Sequence, residues 1–145
     1  MNILLIFIWI YAAMIAHSFW EAYSEGRNAW GKNKLGWKLK LSKNLSLTAY
    51  HFWLFFVMRL LLLTLPLVIY GWNLKLFGIL VSAYFSGLVI EDFFWFVVNP
   101  KVKLSEFNPG FVKWYPWLKI KRFKVPLFYF IFILIAILSW FFIWK

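Results

Sequence analysis

The chain has 145 residues, of which 64% are hydrophobic and 25% aromatic, and its formal net charge is +11. A soluble domain of this length cannot cover so much apolar surface, since globular chains are close to half apolar, so the composition indicates a membrane protein. The chain has no cysteine, which excludes disulfides, thiolate metal sites and cysteine nucleophiles. In a membrane protein, anionic lipids of the inner leaflet explain the positive charge more simply than nucleic acid does.

Four apolar stretches are long enough to cross about 30 Å of hydrocarbon at about 1.5 Å per residue. We predict transmembrane helices over residues 2–20, 48–70, 74–98 and 125–144. The predicted fold is therefore an all-α integral membrane protein, a single domain over residues 1–145 with four transmembrane helices. Pro66 falls inside the second stretch, where we expect a kink that neighbouring helices tolerate.

Basic residues are concentrated in two of the three connections between these helices. The first connection contains six and the third contains seven, whereas the second contains only Lys75. The positive-inside rule therefore predicts that connections one and three are cytoplasmic and that both termini lie on the non-cytoplasmic side of the cell membrane. The first apolar run has no basic residue before it, which argues against a cleaved signal peptide.

Both basic connections contain a stretch in which lysine alternates with apolar residues. These stretches are WKLKLSKNLSL, residues 37–47, and WLKIKRFKV, residues 117–125. Alternation with a period of two is typical of a half-buried strand. The two stretches either pair with each other as a small sheet on the inner leaflet, or stay separate interfacial loops whose lysines reach toward headgroups. Turn signals in FNPGF and WYPWL predict that the third connection is an ordered loop.

Most ionisable residues inside the predicted spans fall in the cytoplasmic half. They come from three helices: His17 and Glu21, His51 and Arg59, and Glu91 and Asp92. An isolated charge facing lipid costs ~2.5 to 3.5 kcal/mol, so we predict that these side chains turn inward and satisfy one another. The sequence therefore predicts a polar pocket near the cytoplasmic end of the bundle.

Helical phase separates the adjacent acids Glu91 and Asp92, because successive residues of a helix point about 100° apart. We predict that Glu91, which is deeper and has the longer side chain, pairs with Arg59. Asp92 is expected to line the mouth of the pocket with Asn99, with Trp95 on the same face.

Two kinds of chemistry fit such a pocket. A divalent metal such as zinc, iron or manganese would use the imidazole and carboxylate donors of His17, Glu21, His51 and Asp92, or Glu91 in place of Asp92. Without a metal, Glu91, Asp92 and His17 would act as acid–base catalysts on a lipid, since buried carboxylates titrate close to neutrality. Nearby aromatic rings would stabilise an organic cation beside a carboxylate.

The stretch HSFWE, residues 17–21, is followed by carboxylates on later helices. It resembles the histidine–glutamate arrangement of the emopamil-binding, sterol-isomerase-like family of small helical membrane proteins. In that family a carboxylate and a histidine move a proton across a sterol double bond, so the resemblance implies an acid–base enzyme. The chain departs from the family by having Arg59 in helix two and a long basic first connection, and no catalytic role is carried over.

Two further interpretations need no enzyme. The fourth apolar stretch has Ser139 as its only clearly polar residue, so it would face lipid, a second copy or a partner subunit equally well. The protein would then be an accessory subunit of a larger membrane complex, with structural ion pairs in its core. A small proton-coupled transporter using Glu91 is the other alternative. No glycine-rich phosphate loop, Ser-His-Asp order or HExxH is present, so ATPase, serine hydrolase and zincin protease functions lack support.

Overall fold

The computed structural model describes residues 1–27, 29, 35–41, 46–120 and 123–145. It is mostly helical, at 68%. Four helices are long and apolar enough to cross a membrane: α1 Ile3–Glu25, α2 Ala49–Tyr70, α3 Leu74–Val98 and α4 Leu127–Trp144. The four predicted spans are confirmed, although α1 extends to Glu25 instead of ending near Trp20. The chain is therefore a small multi-pass membrane protein, and its orientation in the membrane stays a prediction.

Side-chain caps and glycines set the ends of these helices. Asn2 and Asn73 precede α1 and α3, and each side-chain carbonyl accepts a hydrogen bond from the backbone N–H three residues later. Gly26 ends α1 with a φ of +62°, and Gly71 ends α2 with a φ of +81°. Both conformations are easily reached only by glycine.

Helix α2 is not a regular α-helix throughout. Residues Phe52–Met58 form a π-helical segment, and regular α-helix resumes over Arg59–Tyr70. Pro66 lies inside the second part, as predicted. A π-turn holds one more residue than an α-turn and is frequent at functional sites. The segment changes the direction in which the residues on either side of it point.

Helix α3 is the central helix and packs mainly between α1 and α4. Small residues allow the close approach, as is common between transmembrane helices. A Cβ on Gly78 would lie 2.6 Å from a side-chain carbon of α4, and one on Gly87 would lie 3.0 Å from a side chain of α1. Ser139 of α4 donates to the Gly78 carbonyl, while Ser82 of α3 donates to the Ala136 carbonyl, each at 2.9 Å. These reciprocal bonds fix α4 against α3.

Each basic connection contains its own antiparallel hairpin. In the first connection β1, Lys38–Lys40, pairs with β2, Ser46–Thr48, and in the third β3, Trp117–Ile120, pairs with β4, Phe123–Pro126. The prediction that the two stretches pair with each other is therefore wrong, and the two connections stay separate. Each strand finds an antiparallel partner a few residues along the chain, which costs less loop-closure entropy than pairing across the bundle. Some basic residues of the pattern lie outside the described residues, namely Lys32, Lys34, Lys43, Lys121 and Arg122.

The third connection is an ordered loop, as predicted. It contains a short 3₁₀ helix, Leu104–Glu106, and buries Val102 and Val112 against Trp95 and Phe96 of α3. It also contacts the first connection, because the Arg27 side chain donates to both carboxylate oxygens of Glu106. Connections one and three therefore lie at the same end of the bundle.

Candidate functional site

The centre of the candidate site is a contact between side chains of three different helices. Nη2 of Arg59, from α2, donates to Oε1 of Glu91, from α3, at 2.9 Å. Nδ1 of His17, from α1, lies 3.1 Å from the same carboxylate oxygen. The predicted pairing of Glu91 with Arg59 is confirmed.

Glu21 completes this group. Its Oε2 lies 3.9 Å from Nδ1 of His17, one turn away on the same face of α1. We call His17, Glu21, Arg59 and Glu91 the buried cluster. The side chains of the two acids and of Arg59 are each less than 10% exposed, and that of His17 is 11% exposed. The predicted convergence of charges from separate helices is therefore correct for these four residues.

Close packing of α1 against α3 brings the buried cluster together. Ser18, next to His17, donates its hydroxyl both to the Met14 carbonyl and to the Glu91 carbonyl, at 3.0 and 2.8 Å. Gly87, one turn before Glu91, has no side chain to separate the two helices at Met14. The backbones of α1 and α3 therefore lie close together at the level of His17 and Glu91.

A second histidine–carboxylate pair lies toward the end of α1. Nε2 of His51 is 3.0 Å from Oε1 of Glu25, and the two side chains are 1% and 4% exposed. Nδ1 of His51 lies 2.7 Å from the hydroxyl of Thr48. With both ring nitrogens engaged, His51 is placed with Glu25 and not with the metal-ligating group predicted for it. Glu25 was missed because it lies beyond the predicted end of the first span.

Phe55 separates the two histidine-containing groups on α2. The His51 ring stacks on the Phe55 ring with centroids 5.8 Å apart, and the Arg59 guanidinium lies 4.1 Å from the centre of that ring. In a regular α-helix, residues eight apart differ in direction by about 80°. The wider π-turns between His51 and Arg59 reduce that difference, so both residues face α1.

The charges of the buried cluster do not balance without another positive charge. Two carboxylates face one guanidinium, and an uncompensated charge is costly where water is excluded. A proton on the cluster or a bound cation supplies the missing charge. His17 offers one place for that proton, because its Nδ1 is within hydrogen-bonding distance of both Glu91 Oε1 and Arg59 Nη2.

Asp92 belongs to a different group. Its Oδ2 accepts hydrogen bonds from the hydroxyls of Tyr115, at 2.9 Å, and Tyr129. Tyr115 comes from the third connection and Tyr129 from α4, so Asp92 faces away from α1 and α2. The predicted place of Asp92 at the mouth of the pocket, and beside His51 as a metal ligand, is therefore wrong. The cause is the phase difference of about 100° between Asp92 and Glu91.

Asn99 and Trp95 do not form the mouth of a pocket either. The Asn99 amide donates to the Gly26 carbonyl at 2.7 Å and accepts from the Lys101 backbone at 2.9 Å, so it joins the ends of α1 and α3. Trp95 is buried against Ala22 and the third connection. Among the described residues its Nε1 has no hydrogen-bond partner, and neither has Nη1 of Arg59.

A metal ion fits the donors of the buried cluster in part. His17, Glu21 and Glu91 each offer one ligand atom, and these atoms lie within 4.8 Å of one another. One imidazole and two carboxylates form a donor set that zinc accepts with a fourth, open position. The guanidinium of Arg59 already donates to the Glu91 oxygen, however, and a divalent ion added to two carboxylates and one guanidinium would leave an excess positive charge. A metal ion would therefore compete with Arg59 for Glu91.

An apolar cavity of about 870 Å³ lies between α1, α2 and α3 on the opposite side of the buried cluster from the hairpins. Its lining includes Ile10, Leu63 and Leu80, and none of its lining residues belongs to the buried cluster. It therefore offers no direct path from lipid to the carboxylates.

No family model matches the chain, and no curated protein or solved structure matches it either.

Proposed function

We propose that the protein performs a proton-linked function in the membrane and that the buried cluster holds the proton. The observation that supports this most directly is the position of Nδ1 of His17 between an acceptor and a donor. It is 3.1 Å from Oε1 of Glu91 and also contacts Nη2 of Arg59. A ring nitrogen that carries hydrogen donates to the carboxylate, whereas a bare nitrogen accepts from the guanidinium. Arrival or departure of a hydrogen at Nδ1 therefore exchanges one hydrogen bond for the other.

A chain of acids gives this proton a route to the end of the bundle. Glu21 and Glu25 lie one turn apart on α1, where Cβ atoms are about 5 to 6 Å apart. Glu25 bonds to His51, close to the start of α2. Protons would exchange between the buried cluster and the basic connections along this line, which the positive-inside rule assigns to the cytoplasm.

The other interpretations of the sequence receive less support. An enzyme acting on lipid needs an opening between the bilayer and a carboxylate, but the acids of the buried cluster are buried and paired. The catalytic roles predicted for Glu91, Asp92 and His17 stay predictions. An accessory subunit of a membrane complex or a small transporter would each accommodate a proton-binding site, and the proposal covers both.

Infrared spectroscopy of the purified protein in lipid tests the proton. Across the pH range from about 5 to 8, we expect the carboxyl or imidazole bands of the wild type to change with pH, according to which group holds the proton. Glu21→Gln or Glu91→Gln should remove the change, because either variant leaves one carboxylate balanced by Arg59. Glu106→Gln is the matched control, since Glu106 is at the same end of the bundle but pairs with Arg27. A pH-dependent spectrum that neither cluster variant alters would refute the proposal.

A metal site is the second candidate, because the three donor atoms of the buried cluster lie within 4.8 Å of one another. Zinc, iron or manganese should then remain with the protein through detergent purification at about one equivalent per chain. Elemental analysis measures this directly, with Glu91→Gln as the variant expected to lose the metal and Glu106→Gln as the control. Protein that contains none of these metals, even after incubation with them, would contradict this second candidate.

A further inference from the structure

Asp92 differs from every other acid of the chain in lacking a basic partner. Within the described residues, which include all five acids, the other four pair with His17, His51, Arg59 or Arg27. Asp92 has no ion pair and is bonded only to two tyrosine hydroxyls. A carboxylate inside a transmembrane helix without a counter-charge indicates a functional site.

The two tyrosines hold the Asp92 carboxylate through one of its oxygens and make no hydrogen bond to the other. Both hydroxyls donate to Oδ2. Oδ1 accepts no hydrogen bond from the described residues, and Asp92 is partly exposed. Burial and the neighbouring Asp92 raise the pKa of the Tyr115 hydroxyl far above its ordinary value, so Tyr115 stays a donor at physiological pH. Oδ1 is therefore an acceptor that the described residues leave unused, on a carboxylate that is held in place.

Further aromatic rings pack against the two tyrosines. The Tyr115 ring lies 6.1 Å from that of Trp117 and 6.2 Å from that of Phe128, and the Tyr129 ring stacks on Phe107 at 5.9 Å. Ring faces attract ammonium groups, and a carboxylate adds both charge and an acceptor. One carboxylate and two tyrosine hydroxyls offer few oxygen ligands for a hydrated metal ion, so the group suits an organic cation better.

The site lies near the end of the bundle that carries the basic connections. Tyr129 is the third residue of α4, about 3 Å from the start of that helix. Tyr115 comes from a loop and not from a helix of the bundle. Asp92 is partly exposed, and the Phe128 ring beside Tyr129 is 38% exposed. The site therefore opens at the surface of the bundle close to the membrane interface.

We propose that Asp92, Tyr115 and Tyr129 form a binding site for a primary ammonium group, presented by the headgroup of an aminophospholipid. A primary ammonium has N–H donors for Oδ1, whereas a quaternary ammonium has none. An ethanolamine headgroup should therefore bind more tightly than a choline headgroup on the same acyl chains. The site is separate from the buried cluster and does not depend on the function proposed for it.

Native mass spectrometry of the detergent-purified chain, with phosphatidylethanolamine or phosphatidylcholine of identical acyl chains added, measures the preference. We expect the wild type to bind the ethanolamine lipid about tenfold more tightly. Asp92→Asn keeps an oxygen that accepts from both tyrosines but removes the charge, and it should abolish the preference. Glu106→Gln removes an acid at the same end of the bundle and should keep it.

Soluble ethylammonium distinguishes a lipid headgroup from a free amine. Competition between ethylammonium and the ethanolamine lipid in the wild type, but not in Asp92→Asn, would support the ammonium site. If ethylammonium binds and the lipid does not, the site binds a free amine and not a lipid headgroup. Should Asp92→Asn fail to fold, Tyr115→Phe is the second variant: it removes one of the two hydrogen bonds that hold the carboxylate, and it should weaken the preference. Equal binding of the two lipids and no binding of ethylammonium by the wild type would overturn the proposal, as would an equal preference in Asp92→Asn.

Discussion

Replacing Arg59 by glutamine tests the electrostatic balance of the buried cluster. Arg59 is 7% exposed, donates to Glu91 at 2.9 Å and lies 4.1 Å from the centre of the Phe55 ring. Removing one partner of a buried ion pair costs ~3 to 5 kcal/mol, because the other charge stays buried without compensation. The lost contact with the ring adds ~1 kcal/mol. We therefore expect Arg59→Gln to lower the free energy of unfolding by about 4 to 6 kcal/mol.

Unfolding by denaturant in detergent micelles, followed by tryptophan fluorescence, measures this change. The double variant Arg59→Gln/Glu91→Gln removes both charges and should recover at least ~2 kcal/mol relative to the sum of the single variants. Arg27→Gln is the matched control, because Arg27 also pairs with a glutamate but has a side chain that is 51% exposed. The reasoning fails if Arg59→Gln destabilises the protein no more than Arg27→Gln, or if the double variant shows no coupling.

Three further perturbations examine other parts of the structure. His51→Ala should lower the free energy of unfolding by ~2 to 3 kcal/mol, since it removes the contacts of a buried imidazole with Glu25 and with the Thr48 hydroxyl; the same denaturant assay would contradict this by showing no change. The hydrogen bond from Arg27 lowers the pKa of Glu106 in the folded protein. The stability that this pair contributes is therefore fully present above the ordinary glutamate pKa, and it is lost as the pH falls through the lowered pKa of the folded state. An NMR titration of the Glu106 carboxyl carbon should give a low midpoint that rises in Arg27→Gln, and an unchanged midpoint would argue against the contact. Gly78→Ala places a Cβ 2.6 Å from Ile143 and should cost ~1 to 3 kcal/mol, whereas a variant as stable as the wild type would show that α4 moves freely.

The sequence predicts the transmembrane helices well because the bilayer imposes a strict requirement on length and polarity. The second and third predicted spans match the observed helices to within a residue at each end. The pairing of Arg59 with Glu91 was predictable for the same reason, since a charge facing lipid is costly and few partners are within reach. Arguments based on depth and cost therefore identified the central ion pair.

The exact direction of individual side chains was harder to predict from the sequence. The place of His51 depends on a π-helical segment that no pattern in FWLFFVM predicts. Its partner Glu25 lies past Trp20, where hydropathy ends the first span although the helix continues for another turn. Alternating residues identified strand-forming stretches in both basic connections, but alternation carries no information about which strand pairs with which. Direction and pairing depend on tertiary packing, which a single sequence does not specify locally.

The side chains of the adjacent acids Glu91 and Asp92 point to two different sides of the central helix α3. Successive residues of a helix diverge by about 100°, so two neighbouring carboxylates reach different partners without sharing a site. Glu91 meets the basic groups of α1 and α2, while Asp92 meets tyrosines from α4 and the third connection. Because α3 packs on both sides, a single turn of it contributes to an internal ion-pair cluster and to a peripheral carboxylate without a basic partner. The internal cluster carries one more carboxylate than guanidinium, and we propose that a proton compensates it there and that an ammonium group compensates Asp92.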